Sequence, residues 1–140
     1  MPRGAAGPVR DLALLRFRSP DLAAVRRTVA RVSAVRIPRH RVDDVVLAVH
    51  ELAVNSIIHG GGSGRLRAWE TPAELVFEVS DDGPGAPGPV LSPPPVDAGS
   101  GRGLWLAHAL CDDLRICRAA DHTVVQVHIG RQQPGGATTD

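Results

Sequence analysis

The 140 residues are enough for one domain with one core, whereas two domains of half that size would each sit near the lower limit for burial. Apolar residues make up 43% and charged residues 22%, which excludes a chain kept unfolded by its own charge, and a net charge of +1 excludes a broad surface for phosphodiester backbones. All sixteen basic side chains are Arg, so a Walker-type phosphate loop, the strand Lys of eukaryotic-type protein kinases and Schiff-base chemistry are excluded together.

The opening MPRGAAGPVR has no apolar stretch of the kind a secretion signal carries, and no run approaches the roughly 20 apolar residues of a membrane span. The expected compartment is the cytoplasm, with no membrane and no direct nucleic-acid partner. Residues 1–11 are expected as a flexible leader, 12–130 as the folded domain and 131–140 as a flexible tail.

From Leu12 to Arg18, the set Leu12, Leu14, Arg16 and Arg18 alternates with Ala13, Leu15 and Phe17, which predicts a half-buried strand. Ser19-Pro20 is a helix start, with Ser able to cap the free amides, and Leu22, Val25, Val29 and Val32 then recur on one helical face. Ile37-Pro38 ends that helix. Val42, Val45, Val46, Val49, Leu52 and Ala53 carry a second amphipathic helix, which stops at Gly60-Gly61-Gly62.

Strands at 65–69 and 74–80, turning at Thr71-Pro72, predict a hairpin. Asp81-Asp82-Gly83-Pro84-Gly85 follows, and from Ala86 to Gly103 the composition of Gly, Pro, Ser and Ala supports neither ladder nor helix. A third helix is expected from Gly103-Leu104 to about Asp113, then a second hairpin over 114–118 and 123–129. Val125, Val127 and Ile129 alternate with Gln126 and His128, so this sheet should have one face toward water. The whole predicts an α+β two-layer sandwich, with helices on one face of a mixed, largely antiparallel sheet.

Three stretches could carry chemistry. Glu51 and Asn55 are four apart on the second helix and share a stripe; an Asn among apolar residues one turn before a helix end costs stability there. Asp81 ends a strand, where a short carboxylate can accept from an exocyclic amine while Gly83 and Gly85 admit a flat ligand. Gly99-Ser100-Gly101-Arg102-Gly103 opens a helix, whose free amides suit phosphate, with Arg102 as a charged contact. Its spacing fails the dinucleotide fingerprint, and no strand lies directly before it.

Metal alternatives fail on spacing. His50-Glu51 would begin a zinc-protease helix, but position 54 is Val. His108, Cys111, Cys117 and His122 have no short paired spacing, and the two cysteines fit unpaired thiols.

In order, HELAVNSIIHG on a helix, two strands, DDGPG, a long loop and GSGRGLWLAHAL opening a helix resemble the ATP-binding (Bergerat-type) domain of the gyrase, histidine kinase and MutL superfamily. Within it the chain looks most like the stand-alone anti-sigma regulatory factors, which are bacterial serine/threonine kinases. The resemblance implies ATP and Mg²⁺. Glu51 matches the acid that acts as general base or orients the attacking hydroxyl, and Asn55 the amide that holds Mg²⁺. Asp81 matches the carboxylate that binds the adenine amine, with Gly83 and Gly85 lining the purine pocket. The ATP lid corresponds to about 86–100. Gly101, Arg102 and Gly103 match the second glycine motif beneath the phosphates, and Leu104 completes the cofactor-binding set. The implied partners are a sigma factor and a STAS-type anti-anti-sigma protein whose Ser or Thr accepts the phosphoryl group, with a homodimer common among relatives. The opposing reading is a partner-switching module that keeps nucleotide and sequesters its partner without transferring phosphate.

Overall fold

The structure is a computed structural model, and it describes residues 8–83 and 102–131. Strand β1 (Arg10–Arg18) begins at Arg10, two residues before the predicted alternation, because Arg10 and Asp11 still pair with Glu70 and Trp69. A 3-10 turn over Ser19–Asp21 leads into α1 (Leu22–Ala34), which is followed by α2 (Arg39–His59). Ser19 does not cap α1; the Asp21 carboxylate instead accepts the backbone N–H of Arg18 at 2.9 Å. Next come β2 (Ser63–Glu70), β3 (Glu74–Asp81), α3 (Arg102–Leu110), β4 (Asp113–Ala119) and β5 (His122–Gly130).

The strand order is β1-β2-β3-β5-β4, and every neighbouring pair is antiparallel. The expected parallel component is absent among the described residues. The reason is connectivity: the chain leaves β3, passes α3 to the sheet edge and returns by a hairpin, so β5 enters between β3 and β4. The β2–β3 hairpin turns on Thr71, whose Oγ1 accepts the N–H groups of Ala73 (3.2 Å) and Glu74 (3.0 Å).

Helical periodicity and strand alternation meet in one core. Val25, Val29 and Val32 of α1, Val45, Val49 and Leu52 of α2, and Leu104 and Ala107 of α3 pack on Leu66, Leu75, Phe77, Val79, Val127 and Ile129. Each fully buried Val, Leu or Phe contributes about 1.5–3 kcal/mol by leaving water. All three helices therefore lie on one face of the sheet.

The opposite face is drier than alternation predicts. Cross-strand neighbours Trp69, Val76 and His128 form a row there and are 3%, 1% and 5% exposed. The Arg67 guanidinium stacks 4.7 Å from the Trp69 ring centroid. His128 lies between Glu74 (Nδ1 to Oε1, 3.1 Å) and Gln126 (Nε2 to Oε1, 2.8 Å), and these contacts make its burial tolerable.

Two carboxylates tie the elements together. Glu70 Oε1 accepts from Arg36 Nε and from an Arg131 guanidinium nitrogen, both at 3.0 Å, while Arg10 approaches Oε2 at 3.8 Å, so one side chain joins the α1–α2 connection to the start of β1 and the residue after β5. Asp112 accepts a two-pronged contact from Arg41 of α2 (3.1 and 3.2 Å) and the N–H of Gly130 (2.7 Å). That pair of roles ends α3 at Leu110, short of the expected Asp113, because Cys111-Asp112 is drawn into the turn toward β4 and β5.

Candidate functional site

The C-terminal half of α2 runs over the end of β3, and this crossing brings the first two predicted stretches together. Asn55 of α2 and Asp81 at the end of β3 line one cavity, with Leu52 and Ser56 from α2, Leu104 from α3, Ile116 and Arg118 from β4, and Thr123 and Val125 from β5. Its volume is about 20 Å³, the room of one or two waters. A purine ring needs several times that, so the lining would have to rearrange to admit one.

Asp81 is 4% exposed. Its Oδ1 accepts the N–H of Gly83 at 2.8 Å, and Thr123, the cross-strand partner of Asp81 on β5, donates its hydroxyl to the Gly83 carbonyl at 2.8 Å. The turn after β3 is thereby held from both sides. Close backbone approach makes the geometry possible. A side-chain carbon on Gly83 would overlap the His59 carbonyl and Gly60 Cα, and one on Gly60 would overlap the Asp81 carboxyl. Gly61 and Gly62 supply the positive φ (91° and 93°) that lets the chain leave α2 for β2.

Asn55 Nδ2 is buried and has no hydrogen-bond partner among the described residues. A buried amide donor without an acceptor costs about 1–3 kcal/mol. An anionic oxygen entering the cavity would satisfy it; half a turn of the amide would present its oxygen to a cation instead. Asn55 thus fits the group that the sequence resemblance implies. Among the described residues no cluster of three His, Cys, Asp or Glu could hold a metal, so a divalent ion here would need ligand oxygens as well as Asn55. The zinc alternative also fails in space. Among the described residues no three of its side chains gather as metal ligands; Cys111 Sγ instead contacts the Asp113 carbonyl at 3.3 Å, and burial pushes its thiol up to about 11.

Glu51 is half-buried one turn before Asn55 and does not line this cavity. Its neighbour His50 pairs its Nδ1 with an Arg26 guanidinium nitrogen at 3.2 Å, which requires that Nδ1 carry no proton. Gly85, Gly101 and the lid at about 86–100 lie outside the described residues; Arg102 and Gly103 open α3, and Leu104 is 4% exposed against the cavity.

Sequence reasoning missed Thr123 and Arg118. Both come from strand register: Thr123 is a site residue because it faces Asp81, and Arg118 because it shares a side of β4 with Leu114 and Ile116. The parity and the two hairpins were readable, but the placement of β5 beside β3 was not.

A family model described as a histidine kinase-like ATPase domain matches residues 16–129. Among solved structures, the crystal structure of the RsbU and RsbW domains of Rv1364c from Mycobacterium tuberculosis is similar, with a TM-score of 0.63 and 18% identity over 88% of this chain. The chain spans about a third (34%) of the length of that protein chain, and at this identity the likeness is one of fold. No curated protein matches.

Proposed function

Since the chain belongs to the histidine kinase-like ATPase domain family, we propose that it is an ATP-binding anti-sigma factor with serine/threonine kinase activity toward a STAS-type anti-anti-sigma protein. The observation that carries the nucleotide reading is the unpartnered Asn55 amide buried in the same cavity as the Asp81 carboxylate. An acceptor for an exocyclic amine and an unmet polar group for a phosphate or its cation are what ATP demands of one pocket.

In this reading Asp81 accepts the adenine amine while Gly83, fixed by Thr123, lets the backbone lie against the purine. The resemblance gives Gly85 a part in the same purine pocket and assigns Gly101, with Arg102, Gly103 and Leu104 of α3, to the phosphates, which free amides and a positive helix end suit. Asn55 would hold Mg²⁺ together with phosphate oxygens; when bound, that ion neutralises charge as the phosphoryl group leaves. Glu51, one turn away on α2, orients the acceptor hydroxyl or takes its proton. No Lys is required for any of these roles.

The absence of Glu51 from the cavity wall favours the second reading, a module that binds nucleotide and sequesters a sigma factor or regulator without phosphoryl transfer. Incubation of the chain with γ-labelled ATP and a STAS protein from the same genome separates them. Label on a Ser or Thr of that protein is expected; bound ATP with no label on the partner would leave only the sequestering role.

A further inference from the structure

On the side of the sheet away from the helices, β1 and β2 place arginines against one another. Arg16 on β1 is the direct cross-strand partner of Arg65 on β2, and Arg18 follows two residues on, opposite Ser63. Like charges directly opposite on a strand pair are destabilising unless an anion lies between them. Among the described residues one of the three guanidinium groups is served: Arg65 meets Asp82 at 3.3 Å, in an exposed contact.

Asp21, the remaining carboxylate nearby, spends an oxygen on the backbone N–H of Arg18 and makes no ion pair with its guanidinium. Among the described residues, neither the Arg16 nor the Arg18 guanidinium makes an ion pair. These groups border a polar cleft of about 320 Å³, within the size range of small-ligand sites and far larger than the cavity beside Asp81.

We propose that the cleft between Arg16, Arg18 and Arg65 is a second binding site, for a phosphate-bearing small ligand. Guanidinium groups match the oxygens of a phosphate in pairs, and two unpaired forks beside a third that is weakly held suit a dianion or a pyrophosphate better than a single carboxylate. The Ser63 hydroxyl adds a donor at the same rim. A ligand here competes with Asp82 for Arg65. Asp82 directly follows Asp81 and precedes Gly83, so occupancy is felt at the turn that shapes the cavity on the other face. The site does not depend on the nucleotide reading, because no residue of one lines the other.

Calorimetric titration of the full chain with sodium pyrophosphate at low salt tests this, with inorganic phosphate and ADP as separate arms to tell a free phosphate from a nucleotide's. Binding should persist in Asn55→Ala and fall at least tenfold in the double variant Arg16→Gln, Arg18→Gln. Arg16→Lys, which keeps the charge but loses the fork, should fall between the two. Asp82→Asn should tighten binding severalfold by releasing Arg65. Equal affinity in the wild type and the double variant, or binding abolished by Asn55→Ala alone, would overturn the proposal. So would binding of an Asp/Glu-rich peptide with no response to pyrophosphate, which would reassign the cleft to a protein partner.

Discussion

Gly60, where α2 ends, packs its backbone directly against the carboxyl group of Asp81, so that any side-chain carbon at position 60 would overlap Cγ and Oδ1 of that acid. Its own φ of −112° is open to any residue. Space, not backbone conformation, is what demands glycine there. Gly60→Ala should therefore displace the Asp81 carboxylate and crowd the Ser56 carbonyl that accepts the Gly60 N–H, with a fall in ATP affinity of about tenfold or more, equivalent to about 1.4 kcal/mol. Titration with a fluorescent ATP analogue reads this directly; an unchanged affinity would detach Gly60 from the pocket.

Asp81→Asn separates recognition from scaffolding. The amide oxygen of Asn can still accept the Gly83 N–H now held at 2.8 Å, so the turn should survive. What changes is the second oxygen, which becomes a donor facing an adenine amine that is also a donor. The expected cost is about 1.5–3 kcal/mol, or roughly tenfold to a hundredfold in affinity, with the melting temperature little changed. Full ATP affinity in this variant would remove adenine recognition from Asp81.

Glu51→Ala should act on transfer alone. Because Glu51 stands outside the cavity wall, ATP should bind with unchanged affinity, while phosphorylation of the acceptor protein drops by about 10²–10⁴-fold. A variant that phosphorylates at the wild-type rate would take the base role away from Glu51; one that loses ATP binding would place the carboxylate in the pocket instead.

Acid stability should report on Asp112. Its hydrogen bond to Arg41, reinforced by the Gly130 N–H, holds the carboxyl below its usual value of 3.8. A folded-state value lower than the unfolded one favours the native state at every pH above the usual carboxylate range, and that advantage disappears as pH falls through the lowered value. Urea unfolding at pH 6 should show Asp112→Asn less stable than the wild type, with the two converging as pH falls through the lowered carboxyl value. A difference that stays constant down to pH 2 would mean that the charge on Asp112 is not what matters.

The elements were legible where a single period ran unbroken. Val25, Val29 and Val32 at helical spacing, and Val125, Val127 and Ile129 at strand spacing, are buried in the core as the pattern required. The meeting of Asn55 and Asp81 in one cavity was implied by the family resemblance and by no period in the sequence, and Gly101 of the 101–103 turn expected beside them lies outside the described residues. What the pattern could not supply was adjacency in the sheet. A fully antiparallel arrangement, the facing of Asp81 by Thr123, and the buried row of Trp69, Val76 and His128 all depend on which strands become neighbours. Alternation assigns His128 to the outer face correctly; it contains nothing about Glu74 and Gln126 closing over it. Gly60 is the subtler case. Its place after a helix explains it well enough locally that its contact with a residue 21 positions later leaves no separate trace in the sequence.

A wall that must part before a purine can enter has a signature in time as well as in affinity. If Leu104 and Arg118 separate before the nucleotide arrives, association will stop accelerating at high ATP concentration and settle at a ceiling set by the protein's own opening. Substitutions that loosen the seat of α3 would raise that ceiling and tighten apparent binding together, without touching any atom that contacts the ligand.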